Sequence, residues 1–148
     1  METIREITAI ETFSVRHPIL RPGKPVESCH FDGDNLNTTK HFGIFKKNEL
    51  IGVISLFESK NNMFSAQNQF QIRGMAVLEI HQKKGHGEAL VYYTEEFLKK
   101  NKDNPFLIWF NAREKAVGFY QKLGYTIIGD SFDIFDVGIH YVMYKSFK

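Results

Sequence analysis

Gln82-Lys83-Lys84-Gly85-His86-Gly87 is the stretch whose residue types and spacing most directly suggest chemistry. Consecutive backbone N–H groups, two glycines that let the main chain close around a ligand, and two lysines suit an anion. A phosphate there would be held mainly by main-chain donors. The stretch follows an apolar run and precedes an amphipathic one, so it lies where a helix N-terminus opens. Two nucleotide loops are excluded. No Gly-Lys-Ser/Thr follows, as a Walker loop requires. Leu90 stands where the dinucleotide fingerprint needs its third small residue, and no acidic residue ends the next strand. Taken alone, strand, Gly-x-Gly and helix read equally as a phosphate cradle and as a plain turn.

Other chemistry-bearing residues are fewer. Glu27, Asp32 and Asp34 cluster around Gly33 and would attract a cationic substrate, although Asp in such a cluster more often serves local backbone bonds in a turn. Arg16 and Arg21 either face a ligand or are solvated loop charges, and the second is the expectation. Cys29 is the single cysteine, which excludes an internal disulfide and a zinc site built on several thiolates. It is expected to be a buried small residue. No residue pattern suggests a metal.

The elements that must position the loop are legible around it. FQIRGMAVL, from Phe70, reads as a strand half exposed at its start and buried at its end, with a bulge or a close approach of another backbone or ligand at Gly74. After the loop Leu90, Val91, Thr94, Phe97 and Leu98 share one helical face, and Glu95/Lys99 and Glu96/Lys100 support the opposite one. HFGIFK and ELIGVISLF, around a break containing Asn48, form an antiparallel hairpin. Residues 58–69 connect that hairpin to the next strand, with core signal only at Met63 and Phe64. FLIWF is an interior strand behind Pro105. Asn111 then caps a helix in a capping-box-like NARE, with Ala116, Phe119, Tyr120 and Leu123 at helical spacing and Gly124 as its left-handed terminator. YTIIG and IHYVMYK are the last two strands, separated by DSFDIFDVG. At the start, Ile4, Ile7, Ile10 and Val15 fit a first helix over Met1 to Val15, and Pro18, Pro22 and Pro25 make the segment behind it a loop.

Composition bounds what such a chain can be. Its 148 residues, 43% hydrophobic and 24% charged, suit one compact domain over residues 1–148, and fourteen Phe with six Tyr make its interior unusually aromatic. A net charge of +2 without a clustered basic face disfavours nucleic acid as a partner. No apolar run reaches the roughly 18 residues of a membrane span, and METIREITAI is no signal peptide, so a cytoplasmic protein without a membrane partner is expected.

Two motifs then carry a resemblance. MAVLEIHQKKGHGEALV resembles the acyl-CoA-binding motif of the GNAT N-acetyltransferase superfamily, whose Q/R-x-x-G-x-G/A loop cradles the pyrophosphate of coenzyme A. NAREKAVGFYQKLGYTIIGDSF resembles the family's second motif, a helix carrying A-x-x-F-Y-x-K-x-G-Y/F. Together they span roughly Phe70 to Phe132, and the hairpin ahead of them and the closing strand fit the same fold. The resemblance implies an α/β chain of the α+β kind: a single-domain, mixed and mostly antiparallel central sheet, flanked by helices on both faces and splayed centrally to admit acetyl-CoA.

Carried onto this sequence, the resemblance implies that the backbone of Met75, Ala76 and Val77 pairs with the pantetheine arm and polarises the thioester carbonyl. Gln82, Lys83, Lys84, Gly85, His86 and Gly87 hold the pyrophosphate, with Glu88 opening the helix. Asn111 approaches the pantetheine or thiol end, compatibly with its capping role, and Ala116 and Phe119 join the cofactor-binding set. Tyr120 matches the family's general acid. The residue types agree with that chemistry: main-chain donors stabilise the oxyanion, and a phenol protonates a leaving thiolate of nearly similar basicity. Read without the family, Tyr120 is an aromatic on a buried helix face. For the base, His140 and Glu79 are candidates, and a structural histidine remains the plainer reading of His140.

The expected function is transfer of an acetyl group from acetyl-CoA to a primary amine on a small molecule or protein, by a monomer or homodimer. A non-catalytic acyl-CoA sensor and a nucleotide-binding protein are the alternatives. Tyr120 argues against the first, and the missing nucleotide fingerprints argue against the second.

Overall fold

The structure is a computed structural model that describes residues 1–102 and 105–148. Among the described residues seven strands form one sheet in the order β1-β2-β3-β4-β5-β7-β6. The strands are β1 (Glu2–Ile7), β2 (Lys40–Lys46), β3 (Glu49–Glu58), β4 (Gln69–Val77), β5 (Phe106–Arg113), β6 (Thr126–Ile134) and β7 (Gly138–Phe147), and the helices are α1 (Phe13–Leu20), α2 (His86–Asn101) and α3 (Val117–Lys122). The pairs β1/β2, β2/β3, β5/β7 and β6/β7 are antiparallel, while β4 meets β5 in parallel. The chain clusters into two compact units, Met1–Glu58 with Ile72–Asn101, and Ser59–Gln71 with Lys102–Lys148.

In the first unit the expected hairpin is present. Lys47 and Asn48 both have positive φ, 51° and 66°, as a two-residue turn matched to strand twist requires. Side-chain alternation along β3 then sends neighbours to opposite faces. Val53 joins Ile7, Val15 and Ala76 in one cluster, padded by Ile19 and Leu20 of α1. On the other face Phe42, which pairs with Ile54, packs its ring 5.1 Å from those of Tyr93 and Phe97 on α2. Helices therefore cover both faces of this part of the sheet.

The N-terminal segment departs from expectation. Glu2–Ile7 is not helical but an edge strand, in register with β2 from Glu2↔Lys46 to Ile7↔His41. The isoleucine spacing that mimics a helix comes from a β-branched strand running into a 3₁₀ turn at Ile10–Thr12. Charges on the strand, including Glu6 at 3.7 Å from Lys40, blunt the open edge. Pro18, taken as a helix breaker, lies inside α1. Two features hold the helix despite the lost donor: full burial of Val15 and Arg16, and a start fixed by a reciprocal cap. Thr8 N donates to Glu11 Oε1 at 2.8 Å, and Glu11 N donates to Thr8 Oγ1 at 3.2 Å. Further on, Glu95 is buried on α2 rather than on its solvent face, and Lys99 pairs with Glu96 at 3.0 Å.

In the second unit Leu107, Trp109 and Val142 form a core covered by Phe64 and Ala66 of the connector, which is anchored by a 2.9 Å bond from Trp109 Nε1 to the Ser59 carbonyl. The opposite face of β5 presents Phe110 to Tyr120 of α3 and to Tyr125, at ring distances of 4.3 and 5.0 Å. α3 ends as the sequence predicts: Gly124 at φ 96°, with Tyr125 N on the Tyr120 carbonyl and Gly124 N on the Gln121 carbonyl. Its start does not. Asn111 belongs to β5, opposite Val142, and Arg113 precedes the 3₁₀ turn Glu114–Ala116 with no side-chain cap. The strand outcompetes the cap because β7 supplies a full ladder out to Arg113↔His140. β6 likewise runs on through DSFDI to Ile134, absorbing a register shift between Ile128 and Phe132.

Candidate active site

The main-chain part of the site belongs to the first unit and begins at the end of β4. Gly74, at φ 66°, turns the strand before Met75, Ala76 and Val77, and a Cβ there would meet the Phe31 ring at 2.7 Å. The approach at this glycine is made by a side-chain ring, not by the backbone or ligand expected from a glycine inside a strand. Leu78 N donates to the Ile51 carbonyl at 2.8 Å and secures the strand end, while the β4/β5 register spans Gln69↔Leu107 to Gln71↔Trp109.

A 3₁₀ turn at Glu79–His81 leads to the loop. Gln82 is exposed, and its side-chain amide donates back to the Val77 carbonyl at 2.8 Å, which ties the loop to the strand. Lys83 and Gly85 both have positive φ, 63° and 87°, and Lys84 lies between them. Such alternation turns successive N–H groups to one side as an anion-binding nest. Ala89 N donates to the Gly85 carbonyl at 3.0 Å, so the amides of His86, Gly87 and Glu88 precede the first helical bond of α2 and stand as donors at the positive end of its dipole. Lys83, Lys84, Gly85 and Glu88 are exposed, whereas His86 is buried with its Nε2 unpartnered among the described residues. Glu79 is exposed in the turn just past β4.

The second unit carries Tyr120, 9% exposed and set among the rings of Phe110, Phe119 and Tyr125. Burial pushes its phenol up to about 12. Its hydroxyl makes no hydrogen bond to the described residues, so the proton is uncommitted. Phe119 is 37% exposed beside it, and Ala116 is half-buried at the end of the 3₁₀ turn. Asn111 is exposed on β5. His140 is buried on β7 with Nδ1 at 2.8 Å from the Gly138 carbonyl, which makes Nδ1 the donor and leaves the Nε2 lone pair free in the neutral ring.

The largest surprise lies elsewhere in the first unit. Arg16 and Asp34, expected as a solvated charge and a turn residue, form a fully buried bidentate ion pair. Nη1 to Oδ2 is 2.7 Å and Nη2 to Oδ1 is 3.1 Å. Arg16 also donates to the Cys29 carbonyl and to Ser55 Oγ, at 2.8 and 2.9 Å. Ser55 Oγ reaches His41 Nδ1 at 2.7 Å, and His41 Nε2 meets the Asp34 carbonyl at 2.9 Å. A neutral His41 makes the chain of donors consistent: Arg16 donates to Ser55, Ser55 to Nδ1, and Nε2–H to the carbonyl, while Arg16 Nε is left without a partner among the described residues. Desolvation depresses the His41 imidazole accordingly, against the opposing pull of Asp34. Burial acts to raise the Asp34 carboxyl, but the hydrogen bonds from Arg16 and Phe31 N and the Arg16 charge outweigh it and hold the group below its ordinary range. Asp34 does serve a local backbone bond, from Phe31 N at 2.9 Å, yet it is not open to a cationic ligand. Cys29 is buried, as expected, and free. The pair spans 18 residues of chain, so no local spacing could disclose it.

No group of His, Cys, Asp and Glu among the described residues is arranged to hold a metal ion, and none of their helices is long and apolar enough to cross a membrane.

The model of the acetyltransferase (GNAT) family matches residues 4–125. The chain belongs to the GNAT family. An uncharacterized N-acetyltransferase of Bacillus subtilis (strain 168), YitI, is 32% identical over 148 residues, covering 100% of this chain and 98% of its own. Among solved structures, Arabidopsis thaliana NAA60 in complex with acetyl-CoA shares the fold at a TM-score of 0.73 and 11% identity, covering 99% of this chain and 98% of its own. An aminoglycoside 6'-N-acetyltransferase complexed with coenzyme A does so at 0.73 and 14%, covering 97% and 96%. This GNAT chain is accordingly an acetyltransferase, with the mostly antiparallel sheet and flanking helices of its fold.

Proposed function

We propose that this GNAT protein moves the acetyl group of acetyl-CoA to a primary amine, and that residues 1–148 work as one domain in doing so. The observation that carries the reading is the loop from Gln82 to Gly87, where two left-handed residues, Lys83 and Gly85, precede the first turn of α2, whose amides ahead of Ala89 come before the first helical bond. In this reading Gln82, Lys83, Lys84, Gly85, His86 and Gly87 hold the pyrophosphate, with Glu88 opening the helix. Met75, Ala76 and Val77 lie beyond the three-residue register of β4 with β5, and their amides serve the pantetheine arm and the thioester oxygen. The bound cosubstrates in GNAT neighbours support the cofactor.

Attack by the amine puts negative charge on the carbonyl oxygen, and collapse of that intermediate expels a thiolate that needs a proton. Tyr120 is the acid. At about 12 its phenol keeps the proton throughout the neutral range, and the burial that raises it raises a thiolate brought beside it as well, which keeps the two basicities matched. The amine must also lose a proton. His140, with an Nε2 lone pair, and Glu79, an exposed carboxylate, are the proposed acceptors of that proton. Asn111, Ala116 and Phe119 are proposed contacts for the thiol end.

Replacing Tyr120 with Phe tests the assignment. Affinity for coenzyme A by calorimetry is expected to survive, while the rate of thiol release with an accepted amine falls by about 100-fold or more, the usual contribution of a general acid. An unchanged rate removes Tyr120 from the mechanism. If the wild type binds acetyl-CoA but releases no thiol with any amine, the protein is an acyl-CoA sensor instead.

A further inference from the structure

Arg73 of β4 stands two residues before Met75 and is half-buried. Its guanidinium lies over the Phe31 ring at 4.9 Å and over the Phe57 ring at 5.3 Å. Cation–π contacts of this kind hold the group in place while using none of its five N–H donors. Among the described residues Arg73 makes no hydrogen bond and no ion pair. Arg16, also stacked on Phe31 at 3.9 Å, has its counter-charge in Asp34, and Arg21 approaches the same ring at 5.7 Å.

Around Arg73 the neighbouring charges are the guanidiniums of Arg16 and Arg21 and the carboxylates of Asp34 and Asp32. Arg16 and Asp34 offset each other as a bidentate pair. Desolvation presses the Arg73 guanidinium down from its ordinary value, so the cation is being held at a cost with its donors unspent. An arrangement of this kind is completed by an anion that takes two parallel N–H bonds.

We infer that Arg73, seconded by Arg21 and restrained by Phe31, binds a carboxylate on the acceptor, so that the acceptor is a small amine that also carries a carboxylate. The planar two-donor fork of the guanidinium, held over the Phe31 and Phe57 rings, matches the two in-plane oxygens of a carboxylate. Position agrees as well. Only Gly74 stands between Arg73 and Met75, a span of at most roughly 7 Å, so an acceptor held at Arg73 lies within reach of the end of β4. The inference rests on the reading of Met75 to Val77 as the thioester site, and it replaces the acidic cluster at Gly33 as the guide to acceptor charge.

Matched pairs separate the possibilities: cadaverine with lysine, phenethylamine with phenylalanine, and ethanolamine with serine and with phosphoethanolamine. Each is titrated calorimetrically into the protein saturated with coenzyme A, and each is assayed for thiol release from acetyl-CoA. The carboxylate member of a pair is expected to bind at least tenfold more tightly than its partner. Arg73→Gln is expected to erase that preference through a rise in KM for the carboxylate member, with Arg73→Lys recovering part of it and Arg21→Gln weakening it severalfold. Equal binding within every pair, no binding by any carboxylate member, a preference for phosphoethanolamine, or a preference untouched in both Arg73→Gln and Arg21→Gln would each overturn the inference. Affinity for coenzyme A in each variant reports folding, and its absence in the wild type would strike the acetyl-CoA reading rather than this one.

Discussion

Arg16 and Asp34 show how little the type of a residue says about its surroundings. Both side chains are completely buried, and every hydrogen bond of the carboxylate comes from Arg16 or from Phe31 N. Removing one member of such a pair leaves the other charged and desolvated, a loss of about 3–5 kcal/mol. Asp34→Ala is therefore expected to lower the unfolding free energy extrapolated from urea titration by that amount. A loss under about 1 kcal/mol would mean that Arg16 escapes to solvent and that the network is not the anchor of α1.

At the level of elements, two left-handed glycines have opposite surroundings and should respond differently to the same change. Gly74 in β4 has the Phe31 ring 2.7 Å from where a Cβ would stand, whereas nothing lies within 4 Å of the corresponding position at Gly85. Gly74→Ala adds overpacking to left-handed strain, together about 2–5 kcal/mol, while Gly85→Ala bears only the strain, about 1–2 kcal/mol. Thermal melts are expected to show that order. The reverse should hold for coenzyme A, whose affinity falls more in Gly85→Ala, because that residue shapes the nest itself. A Gly74 variant as stable as the wild type would show that Phe31 moves aside freely.

For the molecule as a whole, three buried groups predict the shape of stability against pH. The Tyr120 phenol is raised from 10.0 to about 12, so the folded state keeps a proton that the unfolded chain releases. Its stabilisation, on the order of 2 kcal/mol, is full below pH 10 and is lost as pH climbs toward 12. The His41 imidazole is depressed below 6.5, so the unfolded chain takes up a proton first and stability falls as pH drops below 6.5. The Asp34 carboxyl is held below 3.8, and its contribution disappears only as pH falls below that value toward the lower folded one. Denaturant titrations across pH are expected to trace a plateau between about 7 and 10. His41→Gln should flatten the limb just below 6.5 and leave the alkaline limb intact. A slope unchanged in that variant would assign the limb to another histidine.

The hairpin at Lys47 and Asn48, the β4, loop and α2 sequence, and the glycine terminator of α3 were all legible from residue order, because each depends on contacts within a few residues. The reciprocal cap between Thr8 and Glu11 was equally local and was there to be read in TAIE, yet the isoleucine spacing ahead of it pointed to a helix that β2 converts into an edge strand. Asn111 shows the same competition from the other side, a good cap overruled by the ladder that β7 offers. Sequence alone thus determined the hairpin turn, the glycine end of α3 and the glycine-rich loop ahead of α2, where short-range backbone chemistry decides. Tertiary structure alone decided which charges are buried and which are spare. The partner of Arg16 lies 18 residues away, and Arg73 is held over Phe31 and Phe57 without an ion pair among the described residues only once those rings have folded against it.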